Sequence, residues 1–223
     1  GREHDVLERV ARIAEKLPSL RRVVVVPNLR ARPDVSDIPK AVLLEEWLRK
    51  FSPETIDFAQ MPFDHPAYIL FTSGTTGKPK CIVHSAGGSL LACLKMYKLQ
   101  MDVRPGDRFF YYTTCNWVVW NILFAGLCAE ATLMLYDGSP FERGGKILFD
   151  YAEKERVTHF GTSAKFIDAI EKRGLAPAET HDLKDMRMLI STGSPLVAES
   201  YDYVYAMMSV PPVYRGEVQC RSL

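Results

Sequence analysis

Hydrophobic and polar positions along the chain keep switching between the period of a helix and that of a strand. Val6, Val10, Ile13, Ala14 and Leu17 fall on one helical face, and Pro18 ends it. Arg22 and the run Val23–Val26 read as a strand of the fully buried kind, closed by Pro27. Residues 28–40 read as a loop, Leu43, Leu44, Trp47 and Leu48 as a short helix, and 52–66 as an irregular approach. Tyr68-Ile69-Leu70-Phe71 and Ile82-Val83 are β-prone runs with a polar loop between them. From there strands and helices alternate. The pattern predicts helix 88–99, a turn at Arg104–Asp107, strand 108–113, helix 117–128, strand 131–136 and helix 146–155. Strand 157–161, helix 164–173, strand 187–191, helix 196–208 and strand 213–219 follow. Such alternation implies an α/β fold, with a mostly parallel sheet flanked by helices on both faces. No internal repeat or low-complexity tract interrupts it.

In open sheets of this kind, ligands gather at the carboxyl ends of the strands. Three small, hydroxyl-rich clusters fall there, each ahead of a predicted helix: Thr113-Thr114-Cys115-Asn116-Trp117, Gly161-Thr162-Ser163-Ala164-Lys165 and Ser191-Thr192-Gly193-Ser194-Pro195. Any one of them could be an ordinary helix N-cap. Three on one edge are better explained by a shared pocket.

Charge narrows the partners. Twenty-eight Lys and Arg against 27 Asp and Glu give a net +1, and no basic block suggests a nucleic-acid surface. No apolar run is long enough to span a bilayer, and no leader is apparent. The five cysteines, at 81, 93, 115, 128 and 220, form no C-x-x-C pair and no metal-like spacing with histidine. A reducing, cytoplasmic setting is expected. The chain opens on Gly1-Arg2-Glu3 without a methionine and stops at Leu223, so it reads as part of a longer protein.

The chemistry concentrates in Thr72-Ser73-Gly74-Thr75-Thr76-Gly77-Lys78-Pro79-Lys80. Backbone N–H groups, hydroxyls and positive charge together suit a polyphosphate. It is not a Walker A loop, which needs four residues between its glycines and a hydroxyl residue after the lysine. The flanks make it strand–loop–strand. A plain surface hairpin is the alternative, since Gly, Thr, Lys and Pro are common turn residues.

From Ile69 to Lys80 the chain resembles the AMP-binding signature of the adenylate-forming (acyl-CoA synthetase) superfamily. Pro62–Pro66, Val83–Gly88, Tyr136–Pro140, Ser191–Leu196 and Tyr214–Gln219 are similar to one branch of it, the acetoacetyl-CoA synthetases. The resemblance implies part of an N-terminal large domain across residues 1–223. It implies ATP, Mg²⁺ and coenzyme A, and a short carboxylic acid, acetoacetate, as substrate. By that resemblance Thr72, Ser73, Gly74, Thr75, Thr76 and Gly77 cradle the β- and γ-phosphates of ATP. Thr75 and Thr76 contact phosphate oxygens, and Lys80 supplies charge to the leaving pyrophosphate. Lys78, at a variable position, is left to solvent.

Gly193, Ser194 and Pro195 match the segment passing along the adenylate; a plain strand-to-helix turn is the alternative. Gly161, Thr162 and Ser163 match the acyl and coenzyme A side, with a helix cap as the alternative. Asn116 and Trp117 match the acyl wall, with plain core as the alternative for Trp117, while Trp120 reads as core. His84 is expected to cap or bond locally, and His4, His65, His159 and His181 to be structural. No protein metal ligand is expected.

One departure stands out. The resemblance leads to a Gly-Gly-Thr-Asp segment after the helix at 196–208, but here Met208-Ser209 runs straight into Val210-Pro211. The isolated polypeptide is therefore expected to lack ligase activity. A ligase for acetate or propionate is an alternative within the same chemistry. From another class, the chain could be an inactive nucleotide-binding or scaffolding relative. A kinase-like NTPase lacks its Lys-Ser/Thr pair.

Overall fold

The computed structural model describes residues 4–52, 54–71 and 77–207, in two units, Gly1–Ala59 and Gln60–Leu223. In the first, helix α1 (Leu7–Glu15) forms where expected, but of the expected face Ala14 is buried while Val6, Ile13 and Leu17 are exposed. Strand β1 (Val23–Val25) pairs in parallel with β2 (Ala41–Leu43), which leads into helix α2 (Leu44–Leu48). The expectation of a fully buried strand at 22–26 is corrected here. Val24 and Val26 are exposed, because within this unit β1 belongs to a two-stranded ribbon, too narrow to be covered on both faces. Arg22 instead lies over the Trp47 ring at 4.1 Å, where its cation meets the negative face of the indole.

The second unit begins with an antiparallel hairpin, β3 (Pro66–Phe71) and β4 (Cys81–Ser85), in the expected strand–loop–strand order. Ser85, not its neighbour His84, caps helix α3 (Ala86–Lys95), its Oγ accepting from the Gly88 amide at 3.3 Å. α3 runs on into a π-helical turn, Met96–Gln100.

Four parallel strands follow: β5 (Arg108–Tyr111), β6 (Thr132–Met134), β7 (His159–Ser163) and β8 (Met188–Thr192), in the order β6-β5-β7-β8. Between and after them come α4 (Val118–Ala125), α5 (Ile147–Lys154), α6 (Ala164–Glu171), α7 (Pro177–Thr180) and α8 (Ala198–Met207). The period-two alternation of the strands splits the core. Phe110 and Phe160 point to one face and meet Leu148, Phe149, Phe166, Ile167 and Ile170. Phe109, Tyr111, Met188 and Ile190 point to the other, against Tyr97, Val119 and Leu123. Burying each such side chain contributes about 1.5–3 kcal/mol, and covering both faces is what lets the sheet be parallel.

β7 lies two residues later than the pattern suggests. Thr162 and Ser163 are strand, paired with Ser191 and Thr192 of β8, although the apolar run has ended. At its centre Gly161 faces Tyr111 of β5. The Tyr111 ring lies across the glycine, where an added Cβ would sit 2.2 Å from ring carbon Cδ2. Its hydroxyl donates to the Thr162 carbonyl at 3.1 Å. Strand interiors disfavour glycine unless something must approach closely; here the ring does.

At the opposite end of β7, His159 is buried as a strut. Nε2 donates to the Met101 carbonyl at 2.9 Å, Nδ1 meets Thr158 Oγ1 at 2.9 Å, and the ring stacks on Phe109. Burial holds its pKa below the ordinary histidine value, against the opposing pull of the Met101 bond and Asp107. Asp107 is engaged by Arg187, which also reaches Asp102 at 3.6 Å.

Two outcomes follow. Gly161→Ala destabilises by about 3 kcal/mol through overpacking, read by urea unfolding, and most of the loss disappears when Tyr111→Ala is added. Stability is also pH-dependent. His159 is neutral in the fold, so below the unfolded pKa of about 6.5 the unfolded chain takes up a proton that the folded one does not. Stability is present above that value and falls as pH drops from 7 towards 5. His159→Gln is less stable at pH 7 but has a flatter slope in this window, above the carboxylate range.

Candidate functional site at the carboxyl edge of the sheet

The carboxyl ends of β5, β7 and β8 carry the three hydroxyl-rich clusters, and the structure treats them differently. After β8 the chain turns at Gly193, whose φ of +97° lies in the region that side chains other than glycine rarely adopt. That turn exposes Gly193, Ser194 and Pro195 and returns Leu196 to the core. The Trp117 ring lies against this turn. A Cβ on Gly193 would meet Trp117 Cη2 at 3.3 Å. Trp117, 38 % exposed, heads α4, and Trp120 packs into the core beneath it. Two segments distant in sequence, at Trp117 and at Gly193, are thus brought together.

The loop before Trp117 is internally bonded. Thr114 Oγ1 donates to Asn116 Oδ1 at 2.6 Å, and the Trp117 amide donates to the Thr114 carbonyl at 3.2 Å. Gly161 is covered by Tyr111 as described. Thr162 is wholly buried, and its Oγ1, like that of Ser191 beside it, bonds to no described residue. Ser163 caps α6, accepting from the Phe166 amide at 3.3 Å. Thr72, Ser73, Gly74, Thr75 and Thr76 lie outside the described residues. Gly77 and Lys80 are exposed at the base of β4.

Sequence reasoning missed two tyrosines on this edge. Tyr112, just past β5, donates to the Gly138 carbonyl at 3.1 Å, and Tyr136 to the Ser139 carbonyl at 3.3 Å. They hold the loop 136–140 that follows β6. Burial, then Asp137, raises the Tyr112 pKa; burial, then Glu142, raises that of Tyr136, so both stay neutral donors. Their signal was an aromatic residue one or two positions past a strand end.

The described edge therefore offers hydroxyls, a polar amide and an aromatic wall on a rigid sheet. That equipment suits positioning rather than covalent attack. Among the described residues no group of three or more His, Cys, Asp or Glu could hold a metal ion. A cleft of about 460 Å³ lies at the opposite, amino edge, between Arg108, Arg156, Thr158 and Asp185. It carries no argument for chemistry, because its arginines are neutralised by Glu155 at 2.7 Å and Asp185 at 3.0 Å.

The family model for the AMP-binding enzyme matches residues 2–216. The chain belongs to the AMP-binding enzyme family. Similar proteins include an acetoacetyl-coenzyme A synthetase of Rhizobium meliloti (strain 1021), 48 % identical over 98 % of this chain and 37 % of its own length. A malonamoyl-CoA synthetase of Penicillium aethiopicum is 38 % identical over 92 % of this chain and 31 % of its own. The solved structure of acetoacetyl-CoA synthetase from Streptomyces lividans superposes with a TM-score of 0.83 at 39 % identity, covering 94 % of this chain and 31 % of that one. The chain thus spans about a third of the length of the relatives it matches. The Rhizobium alignment runs over 243 positions, more than the 223 residues here, so that relative has residues with no counterpart in this chain. The parallel sheet with helices on both faces is the α/β fold that was expected.

In this AMP-binding chain, Gly193→Ala costs about 1–2 kcal/mol from backbone strain and pushes the Trp117 ring away. A changed emission spectrum of Trp117, with Trp47 and Trp120 replaced by Phe, reads that displacement.

Proposed function

We propose that the chain is part of an acid–thiol ligase that converts acetoacetate, ATP and coenzyme A into acetoacetyl-CoA, AMP and pyrophosphate. The observation that carries this is Trp117 lying against Gly193 in an AMP-binding fold. An acyl wall beside an adenylate segment is where a carboxylate and an α-phosphate must meet. The names of the relatives sharpen the acid. Acetoacetate and malonamate are isosteres, differing by methyl against amino beyond a shared carbonyl at C3. We read the substrate class as short acids with that carbonyl.

In the first step a carboxylate oxygen attacks the α-phosphorus, the bond to the bridging oxygen breaks, and pyrophosphate leaves. In the second, coenzyme A sulfur attacks the acyl carbon, AMP leaves, and the thiol proton passes to solvent. The acid is its own nucleophile, so the protein's task is positioning and stabilising phosphate charge. Thr72–Gly77 supply N–H and hydroxyl donors to the β- and γ-phosphates, Thr75 and Thr76 contact their oxygens, and Lys80 faces the leaving pyrophosphate. Gly193, Ser194 and Pro195 pass along the adenylate, while Asn116, Trp117, Gly161, Thr162 and Ser163 flank the acyl and coenzyme A side. Mg²⁺ would arrive on the nucleotide phosphates, since the described residues form no carboxylate cage; it supplies charge neutralisation when bound.

Residues 1–223 are read as part of one nucleotide-binding large domain. A cytoplasmic setting is our reading of an odd cysteine count and of cysteines 81, 115 and 128, which stand outside any disulfide among the described residues; no helix among the described residues is long and apolar enough to cross a membrane. One observation favours a second reading. The segment expected near 209 is missing and the Rhizobium relative has additional residues, as in a nucleotide-binding relative that has lost turnover.

Acetoacetate-dependent AMP formation by the complete polypeptide, with Lys80→Met lowering kcat by about a hundredfold, is the expected result. ATP binding without AMP formation on any short acid would favour the second reading.

A further inference from the structure

Asn116 sits between β5 and α4, one residue before the Trp117 wall. A side-chain amide has two faces, a carbonyl that accepts and an NH₂ that donates. The 2.6 Å bond from Thr114 Oγ1 occupies the carbonyl face and fixes the orientation of the group. Among the described residues nothing accepts from Nδ2. The Trp117 amide closes the turn onto the Thr114 carbonyl, so Thr114, Asn116 and Trp117 are held as one unit beside Gly193.

Resting on the reading of the acid above, we propose that Asn116 is a specificity-determining residue, its Nδ2 donating a hydrogen bond to the C3 carbonyl oxygen of the substrate. Thr114 is its positioning residue, keeping the donor face turned outward. A donor reads the carbonyl and is indifferent to a methyl or amino group beyond it. An apolar wall separates acids differing by one small group only weakly. A site built to bond a polar group rejects an analogue without it far more strongly, because its own donor is left unpaired.

The test compares kcat/KM for acetoacetate and for butyrate, which has the same length and no C3 carbonyl, in the complete polypeptide. The ratio of the two acids within one variant cancels any loss of folded protein. Wild type favours acetoacetate. Asn116→Asp and Asn116→Ala lower the ratio by about tenfold or more, Thr114→Val lowers it partly, and Thr114→Ser restores it. An unchanged ratio in both Asn116 variants, or a wild type that uses butyrate as well as acetoacetate, overturns this proposal alone. A wild type that activates neither acid overturns the functional reading and the proposal with it.

Discussion

A tyrosine ring laid across a glycine on the neighbouring strand is the contact on which the second unit depends. Tyr111 is buried, and its ring fills the space that a side chain at Gly161 would take. Its hydroxyl is bound to the carbonyl of Thr162. Through it the central pair β5–β7 is locked in register, with Val119 and Leu123 of α4 and Ile190 of β8 in the same cluster. All three segments carrying hydroxyl-rich clusters therefore leave from elements that share this one packing centre. A close-packed interior transmits small displacements rather than absorbing them, so the site edge inherits its geometry from this core.

The two ends of the sheet carry different polar groups. At the amino end, charges are matched: Asp102 with Arg104, Asp107 with Arg187, Arg108 with Glu155 and Arg156 with Asp185. Neutral, buried His159 braces the same end against Met101. At the carboxyl end hydroxyls and an amide stand beside the carboxylates of Asp137 and Glu142. Several are spent on structure: Ser163 on its cap, Tyr112 and Tyr136 on the loop that follows β6. Asn116 is bonded through its carbonyl oxygen to Thr114.

The order of the elements, their type and the parallel α/β class follow from the local period of apolar residues, because burial on a strand or helix face is written into neighbouring positions. The hairpin of β3 and β4, the turn at Arg104–Asp107 and the hydroxyl clusters at strand ends were equally legible, being local in origin. Pairing with partners far away in sequence was decided only by the tertiary structure. β7 continues through the polar pair Thr162 and Ser163 because β8 lies alongside, and Val24 is exposed because its ribbon has two strands. The Tyr111 ring over Gly161 and the Ser163 cap on α6 likewise follow from how strands and helix meet. The meeting of Trp117 with Gly193 has no local signature at all. It exists because the packing around Tyr111 gathers α4 and β8 at one edge.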